Sequence, residues 1–186
     1  MPILGIMASQ ISGHLWAPEG AYDALATVTV PSGGAATVTF AGIPTGYKHL
    51  QIRGISRSSG AYSYDQTNMQ FNGDTGSNYS WHQLNGNGSS TTSNGGTSTT
   101  FMRIVDQTAA NNNANAFGGF VIDVLDYANV NKNKTVRSLW GYEDNSSGTV
   151  GIRSGNWRST SAVTSITFTC SDNWVQYTQF ALFGVK

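Results

Sequence analysis

Apolar residues recur at every second position along nearly the whole of this 186-residue chain, and almost nowhere at the three- and four-residue spacing of an amphipathic helix. A side chain that changes face at each step belongs to a strand with one side in a core and the other in water. In 23–30, Ala24, Ala26, Val28 and Val30 alternate with Leu25, Thr27 and Thr29. Pro31-Ser32-Gly33-Gly34 follows with turn chemistry, and Val38 and Phe40 resume the pattern, so a β-hairpin is expected here. Leu50 and Ile52 oppose Gln51 and Arg53, and Met69 and Phe71 mark a further strand. The stretches 79–84, 99–105, 117–127, 135–142, 149–153, 163–170 and 175–185 read the same way, with one helical turn expected at 124–129. About ten short strands joined by Gly-rich turns predict an all-β antiparallel β-sandwich. A jelly-roll-like closure suits the length, although strand order is not contained in the alternation.

Two segments break the pattern. Residues 85–100 read NGNGSSTTSNGGTSTT and 108–116 read TAANNNANA. Neither carries apolar surface to bury, so both are expected as exposed loops. The start is the opposite case. Ile3, Leu4, Ile6, Met7, Ile11 and Leu15 crowd into fifteen residues before Trp16-Ala17-Pro18-Glu19-Gly20 interrupts the chain. Exposed, that surface would be an association site. Two readings are open: an arm that docks on another subunit, or a first strand of the sandwich. The interruption favours the arm. The expected organisation is an apolar N-terminal arm or anchor over 1–20 and a β-sandwich domain over 21–186.

Charge excludes more than it suggests. Ten Lys+Arg balance ten Asp+Glu, and charged residues make up only 11%. No basic cluster offers phosphate affinity, so nucleic-acid binding is not expected. The polarity rests on Ser, Thr, Asn, Gln and Gly, a neutral skin suited to sugars or protein surfaces. No apolar run approaches the roughly 20 residues of a membrane span, and the opening lacks the positive flank of a secretory signal, so neither insertion nor export is expected. Cys170 is the single cysteine and sits between apolar strand residues as a small core side chain.

Catalytic and metal signals are thin. His14, His49 and His82 are far apart, and no metal or cofactor site is expected. The oxygen-rich loop with Asn72, Asp74 and Asn78 reads better as a capped turn than as a calcium site. An enzyme would have to draw its carboxylates from Asp123, Asp126, Glu143 and Asp144. Aromatics beside polar residues offer the other candidate chemistry, because a ring face packs on the C–H face of a sugar while amides meet its hydroxyls. Tyr64, Tyr79, Trp81, His82 and Trp157 are the candidate glycan- or partner-binding residues. Trp140 and Trp174 are read as core.

Several motifs occur together: GIMASQISGHLWAPEGAYDALATVTV, IPTGYKHLQIRGI, FNGDTGSNYSWHQLNGNG, VIDVLDYANVNKNKTVRSLWGYE and the closing YTQFALFGVK. In combination they resemble a group of small virion-associated proteins of tailed bacteriophages. The resemblance implies a non-enzymatic structural protein on a virion assembled in the host cytoplasm. It implies a homotrimer and no cofactor. The favoured role is a tail-fibre or receptor-binding component that adheres to host surface glycan, with a capsid decoration protein as the alternative and a polysaccharide-degrading virion enzyme as the second. In this frame Ile3, Leu4, Ile6, Met7, Ile11, Leu15 and Trp16 are the expected particle-anchoring residues, joining other virion proteins.

Overall fold

The computed structural model describes residues 20–145 and 147–186. The apolar residues of the N-terminal segment, Trp16 included, lie outside the described residues. Those described form an all-β protein with no helix: β1 (Tyr22–Thr29), β2 (Ala35–Ala41), β3 (His49–Ser56), β4 (Tyr64–Phe71), β5 (Tyr79–Gly86), β6 (Thr91–Thr99), β7 (Met102–Thr108), β8 (Gly118–Leu125), β9 (Lys134–Glu143), β10 (Gly148–Trp157), β11 (Ser165–Trp174) and β12 (Gln179–Val185). All the strands pair antiparallel in two sheets. The wide sheet runs β1-β12-β3-β8-β9-β10-β5-β6 and the narrow one β2-β11-β4-β7, as expected of a β-sandwich.

The expected hairpin over 23–40 is corrected. β1 pairs with β12 in the wide sheet and β2 with β11 in the narrow one, so the turn at Pro31 carries the chain between layers. The turn chemistry is real: Gly34 donates to the Pro31 carbonyl at 3.1 Å, with φ of +94° at Gly33 and +80° at Gly34. What alternation cannot say is whether a turn folds a strand back beside its neighbour or across to the facing sheet.

The two inner faces supply one core. Phe168, Phe180 and Trp174 meet at ring distances of 5.0 and 5.2 Å, and Phe120 joins Phe180 at 5.1 Å. Trp140 and Trp174 are fully buried, as expected of them. Cys170 is only partly buried, and burial pushes its thiol up to about 12.

Both low-complexity segments depart from expectation. Residues 91–99 are not a loop but β6, the outer strand of the wide sheet, paired with β5 in register from Gly86↔Thr91 onward. Threonine favours the extended backbone, and an edge strand with no apolar side chain gives alternation nothing to reveal. Asn87 closes the hairpin by accepting the Ser89 and Ser90 amides at 3.1 and 2.9 Å. Residues 109–116 form a loop, but it is not wholly exposed: Ala109 and Asn112 are buried, and the loop is wound around Arg57. At 124–129 the chain makes a turn with Asp126 at a φ of +47° instead of a helical turn.

Candidate functional site

Eight strands cannot be covered by four. The edge strand β7 packs across the interlayer space against β8, β9, β10 and β5, and the inner faces of β5 and β6 run on past it. Inner-face residues there have no facing layer, so they are polar. The result is a polar crevice of about 330 Å³ between the edge of the narrow sheet and the overhang of the wide one. Tyr64 and Gln66 of β4 and Arg103 and Asp106 of β7 form one wall; Gln83 and Asn85 of β5 and Thr92 and Asn94 of β6 form the other. Tyr142 and Thr149 close it from β9 and β10.

Its floor is a buried ion pair. Arg153 of β10 is fully buried, with its guanidinium 5.1 Å from the Trp140 ring centre and 5.9 Å from that of Trp81. Nη2 donates to Asp106 Oδ1 at 2.7 Å and Nε to Gln83 Oε1 at 2.8 Å. Gln83 passes the polarity on, donating to Asn85 Oδ1 at 3.0 Å, where Thr92 also donates at 2.9 Å. Burial pushes the Asp106 carboxyl up, and contact with Arg153 pulls it back. Two floor donors, Arg153 Nη1 and Trp81 Nε1, are buried with no acceptor among the described residues. A neighbouring hollow, lined by Asp65, Asn111 and Ser171, shares Tyr64, Gln66 and Arg103 with the crevice.

The structure divides the five sequence-nominated residues. Tyr64 is about half exposed and lines both hollows. Trp81 lies beneath them, buried, with Arg103 stacked over its ring at 5.3 Å. Tyr79 and Trp157 are core: their rings sit 6.4 Å apart, and Trp157 also packs on Phe71 at 5.4 Å. Stacking of a sugar on Tyr79, Trp81 or Trp157 is therefore corrected by their burial, since each ring is already covered by protein. His82 follows Trp81, so it points out of the opposite sheet face, exposed, opposite Ser154.

The capped-turn reading of the Asp74 loop describes what the structure holds. Asp74 Oδ2 accepts from Trp157 Nε1 at 2.6 Å and Asn78 Nδ2 at 2.9 Å, and Oδ1 accepts from the Gly76 amide at 2.8 Å. These donors hold the carboxyl below its ordinary range. The four carboxylates weighed for hydrolysis are likewise tied locally. Asp123 accepts from Arg137 and Gln51, Asp126 from Lys132, Glu143 from the Asp144 and Asn145 amides, and Asp144 from the Ser147 amide. None of them lines the polar crevice. No group of three metal-ligating side chains is assembled among the described residues.

Arg103, Asp106 and Arg153 are site residues that sequence reasoning passed over. The available signal was a charge at the same strand parity as core residues: Gly151, Arg153, Gly155 and Trp157 face inward, while Val150 and Ile152 face out. Ile152 then lies in register with Leu84 and Leu139, and Leu139 with Val121, forming an apolar row across the outer face of the wide sheet. Together with His82 and the Arg137–Asp123 pair it lines a broad groove of about 720 Å³. Exposed apolar surface of this kind accompanies association.

No protein-family model, no curated protein and no solved structure matches this chain.

Proposed function

We propose that this protein is a non-enzymatic adhesion module of a tailed-phage virion, a tail-fibre or receptor-binding component whose polar crevice takes a host surface glycan. The observation that carries the reading is the crevice: a concave site, walled by amides, hydroxyls and the exposed ring of Tyr64, with its two deep charges already paired to each other. Sugars are held by such walls, through hydroxyl-to-amide hydrogen bonds and packing on an aromatic face. Strand order supports the viral part of the reading. The wide sheet contains the run β1-β12-β3-β8 and the narrow sheet is β2-β11-β4-β7, so β12 lies beside β1 and β11 beside β2, and the end of the chain returns beside its beginning in both sheets. That nesting agrees with a jelly roll, an architecture of viral capsid and lectin domains. Here it serves as an analogy of fold, and the phage assignment itself comes from the sequence motifs. The β5–β6 and β9–β10 hairpins extend this frame and build the crevice, which places recognition on the additions and stability on the frame.

The N-terminal segment 1–15, uncharged and apolar, is the proposed particle anchor. Purified protein should attach to host cells, and Tyr64→Ala should weaken attachment at least tenfold, the equivalent of about 1.4 kcal/mol, without altering the melting temperature. A chain lacking 1–15 should still attach but should not join particles. Undiminished attachment by Tyr64→Ala would remove the crevice from the reading, and normal incorporation of the truncated chain would remove the anchor.

A further inference from the structure

We infer that the crevice selects an acidic sugar, one bearing a carboxylate or sulfate group, and that Arg103 is the residue that selects it. The inference rests on the glycan reading above and adds the chemical class of the ligand.

The six arginines of the chain divide five to one. Arg57 donates to loop carbonyls, Arg137 to Asp123, Arg153 to Asp106, Arg158 to the Ser77 carbonyl and Arg53 to Gln51. Arg103 alone makes no side-chain hydrogen bond or ion pair to the described residues. It is nonetheless held in place: its guanidinium lies over the Trp81 ring at 5.3 Å, and its backbone is paired to Asn68 in the narrow sheet. Stacking orients the plane of the guanidinium and leaves its N–H edges free. The structure thus keeps a half-buried, oriented fork of donors with no hydrogen-bond acceptor among the described residues. The stacked guanidinium keeps hydrogen-bond donors in hand, and a bidentate carboxylate or sulfate would engage them.

The electrostatics of the crevice agree. Asp106 is the carboxylate within it, and its Oδ1 is engaged by Arg153 at 2.7 Å, so the floor pair cancels and the positive charge at the mouth is that of Arg103. Asp65 belongs to the adjoining hollow and turns its Oδ1 to the Gln66 amide at 2.7 Å. Around Arg103, Tyr64, Gln66, Asn94 and Tyr142 offer neutral polar groups suited to sugar hydroxyls. A volume near 330 Å³ lies at the low end for small-ligand sites, which suits a single sugar unit at the recognition point.

The test uses the full chain and three oligosaccharide probes, titrated calorimetrically at low and high salt: a hexuronate, a sulfated galactan and a neutral galactan. The acidic probes should bind about tenfold or more tightly than the neutral one, and salt should narrow the difference. Which acidic probe leads distinguishes carboxylate from sulfate. Arg103→Gln should abolish the preference by bringing the acidic probes down to the affinity of the neutral one, and Arg103→Lys should restore only part of it, since a point charge lacks the fork. Equal binding of all three probes, unchanged in Arg103→Gln, would overturn the acidic selection and leave the glycan reading standing. Binding of none by the folded protein would overturn both.

Discussion

Replacing Asp106 with alanine should cost about 3–5 kcal/mol of folding stability, because it strands the Arg153 guanidinium in the core with its charge uncompensated. The side chain of Arg153 has no exposed surface, and among the described residues Asp106 is the only carboxylate within ion-pair distance of it. Arg153 Nη1 already has no hydrogen-bond partner among the described residues, and after the substitution Gln83 Oε1 is the acceptor that remains to this guanidinium, a neutral one. The rings of Trp81 and Trp140 beside the guanidinium soften the loss without replacing a carboxylate. Urea denaturation followed by tryptophan fluorescence measures the change. The double variant Asp106→Leu with Arg153→Met should recover most of it, since an ion pair removed as a unit costs far less than one cut in half. If Asp106→Ala loses less than about 1 kcal/mol, water reaches Arg153 and the floor of the crevice is not dry.

How much of this could be read in advance depends on what each strand packs against. β3, β4, β8 and β12 show clear alternation because one side of each meets the core: Leu50 and Ile52, Met69 and Phe71, Ile122 and Val124, Phe180 and Leu182 are all buried. β10 misleads, since its aliphatic residues Val150 and Ile152 are exposed and its inward positions hold Gly151, Arg153 and Gly155. Those glycines make room for neighbours: a Cβ on Gly151 would come within 2.4 Å of the Trp140 ring, and one on Gly155 within 1.9 Å of Met102 Sδ. A pattern built by cross-strand accommodation is invisible without the register. β6 is silent for a related reason, as Gly95 and Gly96 lie against His82 and Trp81 at distances that admit no side chain. The candidate site was legible only as Tyr64 and the tryptophan beneath it. Arg103, Asp106 and Arg153 belong to β7 and β10, which are brought face to face by pairing between distant segments, and only the assembled sheets turn three scattered charges into a floor and a rim.

Arg57→Met should be nearly as damaging, at about 3 kcal/mol, through a different route. Its guanidinium donates from Nη1 to the carbonyls of Asn113 and Ala116 at 3.0 and 2.9 Å, and from Nη2 to that of Asn112 at 3.1 Å. The backbone around it is fixed on the other side, where Arg57 accepts from the Val175 amide at 3.0 Å and donates to Thr178 Oγ1 at 3.2 Å. One buried cation thereby satisfies carbonyls of a loop that has almost no apolar side chain to hold it down. Methionine fills the stem but offers no donor, so several half-buried carbonyls lose their partner together, each at about 1–3 kcal/mol if it stays dry. The loop has a cheaper alternative, which is to lift into water. The expected signature is therefore a moderate loss of global stability with a larger, local rise in amide hydrogen exchange over 109–117, while the core strands β3 and β8 stay protected. Because Asn111 of this loop lines the hollow that adjoins the crevice at Tyr64 and Arg103, the same variant should also weaken glycan attachment without touching a residue of the crevice wall. Uniform exchange across loop and core would show that Arg57 supports the whole sandwich rather than the loop, and the link between loop order and binding would fail with it.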